Sequence, residues 1–123
     1  MNISFIETLE FTNCVYDYVS DDAYADLQKL LMENPELGKV VPGCGGVRKI
    51  RIADSRRSKG KRGGARVLYM NVLEADWICF LDIYGKNESE DLTAADRKMF
   101  RTIAAAIRRQ AVAMSSKEKE KNK

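Results

Sequence analysis

Histidine is absent from this 123-residue chain, and that absence removes much of enzyme chemistry. No Ser-His-Asp triad, Cys-His pair or His-ligated zinc can be assembled, and no imidazole can move protons near neutral pH. Cysteine is scarce too. Cys14, Cys44 and Cys79 are odd in number and widely spaced, with no CxxC pair. They read as reduced thiols of a cytoplasmic protein, not as a disulfide framework or a metal site. Cys44 lies in the glycine-rich run from Pro42 to Gly46 with no base nearby to make it a nucleophile. No apolar run approaches the roughly 20 residues that span a bilayer. The opening MNISFIETLE has neither the basic flank nor the apolar core of a signal peptide.

What the chain does have is charge, unevenly spread. The whole carries 21 Lys and Arg against 18 Asp and Glu. From Arg48 to Arg66 there are nine basic residues and one acid, Asp54, a local charge of +8. The remainder is acidic on balance. Such a body with one basic insert suggests a localised polyanion site.

Periodicity predicts a single α+β domain in the order β-α-α-β-β-β-α, over residues 1–114, followed by a charged, disordered tail over 115–123. Residues 2–6 alternate as a short strand. Phe11, Cys14, Val15 and Tyr18 recur at helical spacing. Ser20, Asp21 and Asp22 open a second helix whose stripe is Tyr24, Leu27, Leu30 and Leu31, ended by Asn34-Pro35 and Gly38. Strands follow from Val47 to Ile52, Ala65 to Leu73 and Trp77 to Tyr84, the first two joined by a long basic loop. Thr93 to Asp96 reads as a capping box for a last helix from Ala94 to about Met114. On that helix Arg97, Lys98, Arg101, Arg108 and Arg109 read as an ordinary solvent-facing surface. The sheet is expected to be small and mostly antiparallel.

Lys49 and Arg51 share one face of their strand, Arg66 begins the next, and Lys86 follows Tyr84 just past the third. Neighbouring strands would gather these cations on one exposed face as a cradle for phosphodiester oxygens. Cleavage of RNA by its own 2′-hydroxyl needs a base, charge stabilisation at phosphorus and an acid for the leaving oxygen. Without His or a metal cluster, Lys and Arg must supply them. A non-catalytic module that binds RNA or the ribosome with the same face is the alternative.

Lys49-Ile-Arg51-Ile, Ala-Arg66-Val-Leu-Tyr69, Ile-Tyr84-Gly-Lys86-Asn-Glu88 and Asp91-Leu-Thr, in this order, resemble the RelE/HigB family of bacterial toxins. The Gly-Gly-Val-Arg-Lys-Ile-Arg and Gly-Lys-Arg-Gly-Gly-x-Arg stretches are most similar to its HigB-like branch. The resemblance implies a RelE-like fold and a metal-independent, cofactor-free endoribonuclease that cuts mRNA in the ribosomal A site and so inhibits translation. It implies Arg66 as the phosphate-holding arginine and Lys49, Arg51 and Lys86 as the stabilising cations. The general base is left to Lys49 or Lys86. Tyr84 stands in for the tyrosine that family members carry near the position of Thr93. Arg48, Arg56, Arg57, Lys59, Lys61 and Arg62 would grip ribosomal RNA as phosphate contacts. The implied partner is an antitoxin with a helix-turn-helix region, through which alone the pair would reach operator DNA; no membrane is involved.

Overall fold

The computed structural model describes residues 2–53, 64–85 and 92–121, with side chains described as far as Lys117. The basic-loop residues Arg56, Arg57, Lys59, Lys61 and Arg62, and also Lys86, lie outside the described residues. The elements run β1 (Ser4–Glu7), α1 (Leu9–Tyr18), α2 (Asp21–Glu33), β2 (Lys39–Val40), β3 (Arg48–Ile52), β4 (Ala65–Val72), a 3₁₀ turn (Leu73–Ala75), β5 (Trp77–Gly85) and α3 (Ala94–Lys121). This is the expected α+β order with one addition, the two-residue β2. So short a strand leaves no periodicity in sequence.

Local chemistry sets the helix starts. Thr8 caps α1 by accepting from the Phe11 N–H, and Ser20 caps α2 by accepting from Ala23. At α3 the capping box is complete. Thr93 N–H donates to Asp96 Oδ2 (2.9 Å) and Asp96 N–H donates to Thr93 Oγ1 (3.1 Å). The helix then continues to Lys121 and does not end near Met114. Lys and Glu are good helix formers, so a ladder anchored on the packed part of α3 propagates into the charged end that composition alone marks as disordered.

The sheet order is β1-β5-β4-β3-β2; β1 runs parallel to β5 and the other pairs are antiparallel. Alternation along central β4 builds a core on each face. Ala65, Val67 and Tyr69 face α1 and α2, packing with Phe11, Val15, Leu27 and Leu31. Leu68, Met70 and Val72 face α3, packing with Phe100 and Ala104. On the first face Phe80 stacks between Phe5 and Phe11, with ring centroids 5.8 and 4.9 Å away.

The pairing of β4 with β5 is irregular at one point. Opposite Leu68 and Tyr69 the β5 register skips a residue, so Leu68 pairs with Asp82 and Tyr69 with Phe80. The bulged residue is Leu81. Before the bulge, Cys79 belongs to the α3-side core and Phe80 to the other; after it, Ile83 lies on the α1 side and Tyr84 on the α3 side.

The segment from α2 to β3 has little regular structure, and side chains hold it instead. The Tyr69 hydroxyl donates to Pro35 O (2.8 Å) and accepts from Gly38 N–H (2.8 Å). Asn71 Nδ2 also donates to Pro35 O (3.1 Å), and Arg48 Nη1 donates to Glu36 O (3.2 Å) and Gly38 O (2.8 Å). A side chain at Gly38 would collide with the Tyr69 ring and approach the Lys49 carbonyl, so only glycine fits against that hydroxyl.

Tyr69→Phe strands a buried N–H and should lower stability by about 1–3 kcal/mol, read as a lower urea midpoint at unchanged slope. The Asp96 carboxyl is held below its ordinary value of 3.8, chiefly by the Thr93 N–H. A depressed folded pKa makes its contribution complete above that value and progressively lost as pH falls below it. Asp96→Asn should therefore lower stability at neutral pH and narrow its gap to wild type in acid titration followed by circular dichroism.

Candidate functional site

Register places the basic side chains in rungs across the α3-facing side of the sheet. Lys39 of β2 stands opposite Lys49 of β3, and Lys49 opposite Leu68 of β4. One rung along, Arg51 stands opposite Arg66, and Arg66 opposite Tyr84. Facing residues on neighbouring strands have Cβ atoms roughly 5 Å apart, and like charges so placed repel. Two successive cross-strand pairs are therefore cation against cation. As packing this is unfavourable; as a seat for an anion it is preorganised.

The first rung opens into a cavity of about 250 Å³. Lys39, Lys49 and Arg97 bring positive charge to it, Leu68 and Leu92 line it, and Tyr84 forms part of its wall. Lys49 is half-buried and Lys39 exposed. Arg51, exposed, joins Lys39 and Lys49 around a neighbouring hollow of about 350 Å³.

Arg66 corrects an expectation. Its place at the start of a strand predicts an exposed sheet face; it is 2% exposed, and its Nη1 donates to Gly64 O (2.9 Å). The reason is its strand. β4 is a central strand between β3 and β5, and Arg66 stands in register between Arg51 and Tyr84, where an edge position would leave one side open. Tyr84 shares the rung and is 7% exposed. Arg48 lies on the other face from Lys49, where its guanidinium holds the carbonyls of Glu36 and Gly38.

The α3 arginines correct a second expectation. Arg97 donates to Pro42 O, Arg101 to Gly43 O (2.5 Å) and Arg108 to Gly45 O (2.8 Å). They do not form a free solvent surface; they tie the glycine-rich turn to the helix. Gly45 and Gly46 take φ of +75° and +98°, open to glycine at little cost. A side chain at Gly45 would press on the Arg101 backbone. Cys44 is buried in this turn, and burial raises its pKa despite Arg97 and Arg101 pulling the other way. It is a core thiol, as is Cys79, which burial pushes up to about 11.

Lys39 and Arg97 are site residues that sequence patterns do not single out. Lys39 needs β2, which no periodicity announces. Arg97 does leave a signal: Arg97, Arg101 and Arg108 flank the stripe of Phe100, Ala104 and Ala111 that α3 buries, and border positions seldom look straight into solvent.

A comparison with known families decides the identity. Residues 32–121 match the family described as the RelE toxin of the RelE/RelB toxin–antitoxin system. The chain belongs to the RelE toxin family. The match begins within α2 and takes in β2 to β5 and α3, so both rungs of this RelE-family toxin lie inside it. As a toxin of a toxin–antitoxin pair, it has an antitoxin for a partner. Among the described residues no helix is long and apolar enough to cross a membrane.

If the rungs form an anion seat, neutralising one member should relieve repulsion. Lys49→Met should leave stability unchanged or raise it by up to about 1 kcal/mol. Inorganic phosphate should raise the wild-type melting temperature more than chloride at equal ionic strength, and that excess should shrink in Lys49→Met.

Proposed function

We propose that this toxin is a ribosome-dependent endoribonuclease of the HigB-like kind, which cuts mRNA in the A site and inhibits translation in the cytoplasm. The observation that supports this most is the stacking of the Lys39/Lys49 and Arg51/Arg66 pairs beside one cavity that Arg97 and Tyr84 complete. Sheet and helix hold those groups before substrate arrives, which is what stabilising a short-lived charge requires.

The scissile phosphate takes the cavity, with Lys39 and Arg97 toward its oxygens and Lys49 toward the 2′-hydroxyl. Lys49 is the base that takes the proton of the 2′-hydroxyl. The 2′-oxygen then bonds to phosphorus. The extra negative charge of the pentavalent phosphorane falls among Lys39, Arg51 and Arg97, with Arg66 behind them. The bond from phosphorus to the 5′-oxygen breaks, leaving a 2′,3′-cyclic phosphate, and the Tyr84 phenol or a water gives the leaving oxygen its proton. Charge that a metal ion supplies in other nucleases comes here from ammonium and guanidinium groups.

Lys86, the next residue in sequence after β5, remains in this reading a second cation for the same phosphate and the other candidate base. The basic residues Arg56, Arg57, Lys59, Lys61 and Arg62 remain proposed contacts to ribosomal RNA. Arg48 is the weaker member of that set, since its guanidinium is engaged on the opposite face. The antitoxin is proposed to carry a helix-turn-helix region and to bring the pair to operator DNA.

The informative substitutions avoid buried Arg66, whose truncation would leave a cavity and disturb the fold as well as the site. Removing one preorganised donor typically costs about 10²–10³ in rate. Lys49→Ala and Lys39→Ala should each reduce cleavage of ribosome-bound mRNA by about that factor, measured by primer extension in a translating extract, with circular dichroism unchanged. Free RNA should be cut poorly. Full toxicity of the Lys39→Ala/Lys49→Ala double variant, or fast cleavage without ribosomes, would defeat the proposal.

A further inference from the structure

Beside the cationic cavity lies a second one of about 350 Å³, and the two share Leu68, Tyr84 and Leu92 in their walls. Their chemistry differs. The first holds Lys39, Lys49 and Arg97; the second holds Asp82 and Asp96 among apolar walls that include Met99 and Phe100. Along the first rung the register reads Lys39, Lys49, Leu68, Asp82. Asp82 thus stands two strands from Lys49, about 10 Å across the sheet, with Leu68 between them.

We infer that the second cavity is a nucleobase subsite for the nucleotide whose phosphate occupies the first, and that Asp82 makes it select bases carrying an exocyclic amino group. This rests on the reading of the cationic cavity as a phosphate seat. A nucleotide is an anion at one end and a flat, mostly apolar heterocycle with a hydrogen-bonding edge at the other. The groove offers these in the same order: cations, an apolar saddle at Leu68 and Leu92 for the ribose, then apolar walls with carboxylates. An ionised carboxylate only accepts hydrogen bonds. Adenine, cytosine and guanine each present an amino group as donor. Uracil presents two carbonyls flanking one N–H, and a carboxylate repels those carbonyls.

Asp82 is a sound choice for the reading group. Its Oδ1 accepts from Ile83 N–H (2.9 Å), which fixes the carboxylate's orientation, and the bulge at Leu81 turns the face that Asp82 shares with Tyr84 toward α3. Asp96 is the lesser candidate, because it stands at the start of α3 and not on the rung of Lys49 and Leu68.

Titration of the isotope-labelled full chain with inorganic phosphate, AMP, CMP, GMP and UMP, followed by amide chemical shifts, tests both levels. AMP, CMP and GMP should bind about tenfold more tightly than UMP, the equivalent of one charged hydrogen bond, and should shift residues around Asp82 and Met99. Phosphate alone should shift only those around Lys39, Lys49 and Arg97. Asp82→Asn keeps an oxygen for the Ile83 N–H and exchanges the other for a donor. It should erase or invert the preference in favour of UMP while phosphate binding holds. Met99→Trp, at a position 49% exposed and so tolerant of change, should fill the subsite and level the four nucleotides. Equal binding of all four nucleotides by wild type, with phosphate still bound, overturns the subsite alone. No response to phosphate or to any nucleotide overturns the subsite and the phosphate seat together.

Discussion

Arginine bonded to backbone carbonyl is the interaction on which this structure turns. Between α2 and β3 the chain crosses a stretch whose only regular element is the two-residue β2, too short to hold itself. Arg48 secures its first part through Glu36 and Gly38, and Arg97, Arg101 and Arg108 secure its second through Pro42, Gly43 and Gly45. Lys39 lies between the two sets of ties. Without them β2 would have no fixed place beside β3, and the cationic cavity would lose a wall.

The choice of acceptor has an electrostatic effect. A carboxylate partner would cancel the guanidinium charge; a neutral carbonyl orients the guanidinium and leaves that charge in place. Arg97 can therefore hold the turn and lend its positive field to the cavity that the turn borders. The same logic extends across the sheet, where like charges face each other at Lys39/Lys49 and Arg51/Arg66. The fold tolerates that repulsion because the strands are fixed by the two cores behind and beside them. Cations held together against their own repulsion gain when an anion joins them.

Much of the fold is readable from residue patterns. The stripes of α1 and α2, the capping box at Thr93 and the pairing of Lys49 with Arg51 on one face all follow from periods of 3.6 and 2. So does the family, because ordered motifs survive without knowledge of their contacts. What escapes depends on contacts distant in sequence. Lys39 cannot be placed without β2, and β2 exists because Tyr69, far along the chain, holds Gly38. The burial of Arg66 depends on both flanking strands and not on its own neighbours in sequence. The α3 arginines look solvent-facing because their acceptors are backbone atoms more than fifty positions away, which carry no side-chain signature. The extended end of α3 escapes for the opposite reason: composition suggests a loose tail, and helix propagation from the packed part prevails.

The bulge at Leu81 acts as a phase change within one strand. Up to Phe80, β5 is in step with β1 and serves the aromatic stack; beyond Leu81 the alternation is inverted, and the residues turned toward α3 are Asp82 and Tyr84. One inserted residue therefore divides β5 into a half that serves the aromatic core and a half that lines the cavities. Straightening the strand with every residue kept would leave its composition intact yet put Ile83 where Tyr84 stands at the cavity wall. The position of the cavity-lining groups is thus encoded by parity as much as by identity, so relatives of this chain are best compared by counting residues from the bulge, not from the strand ends.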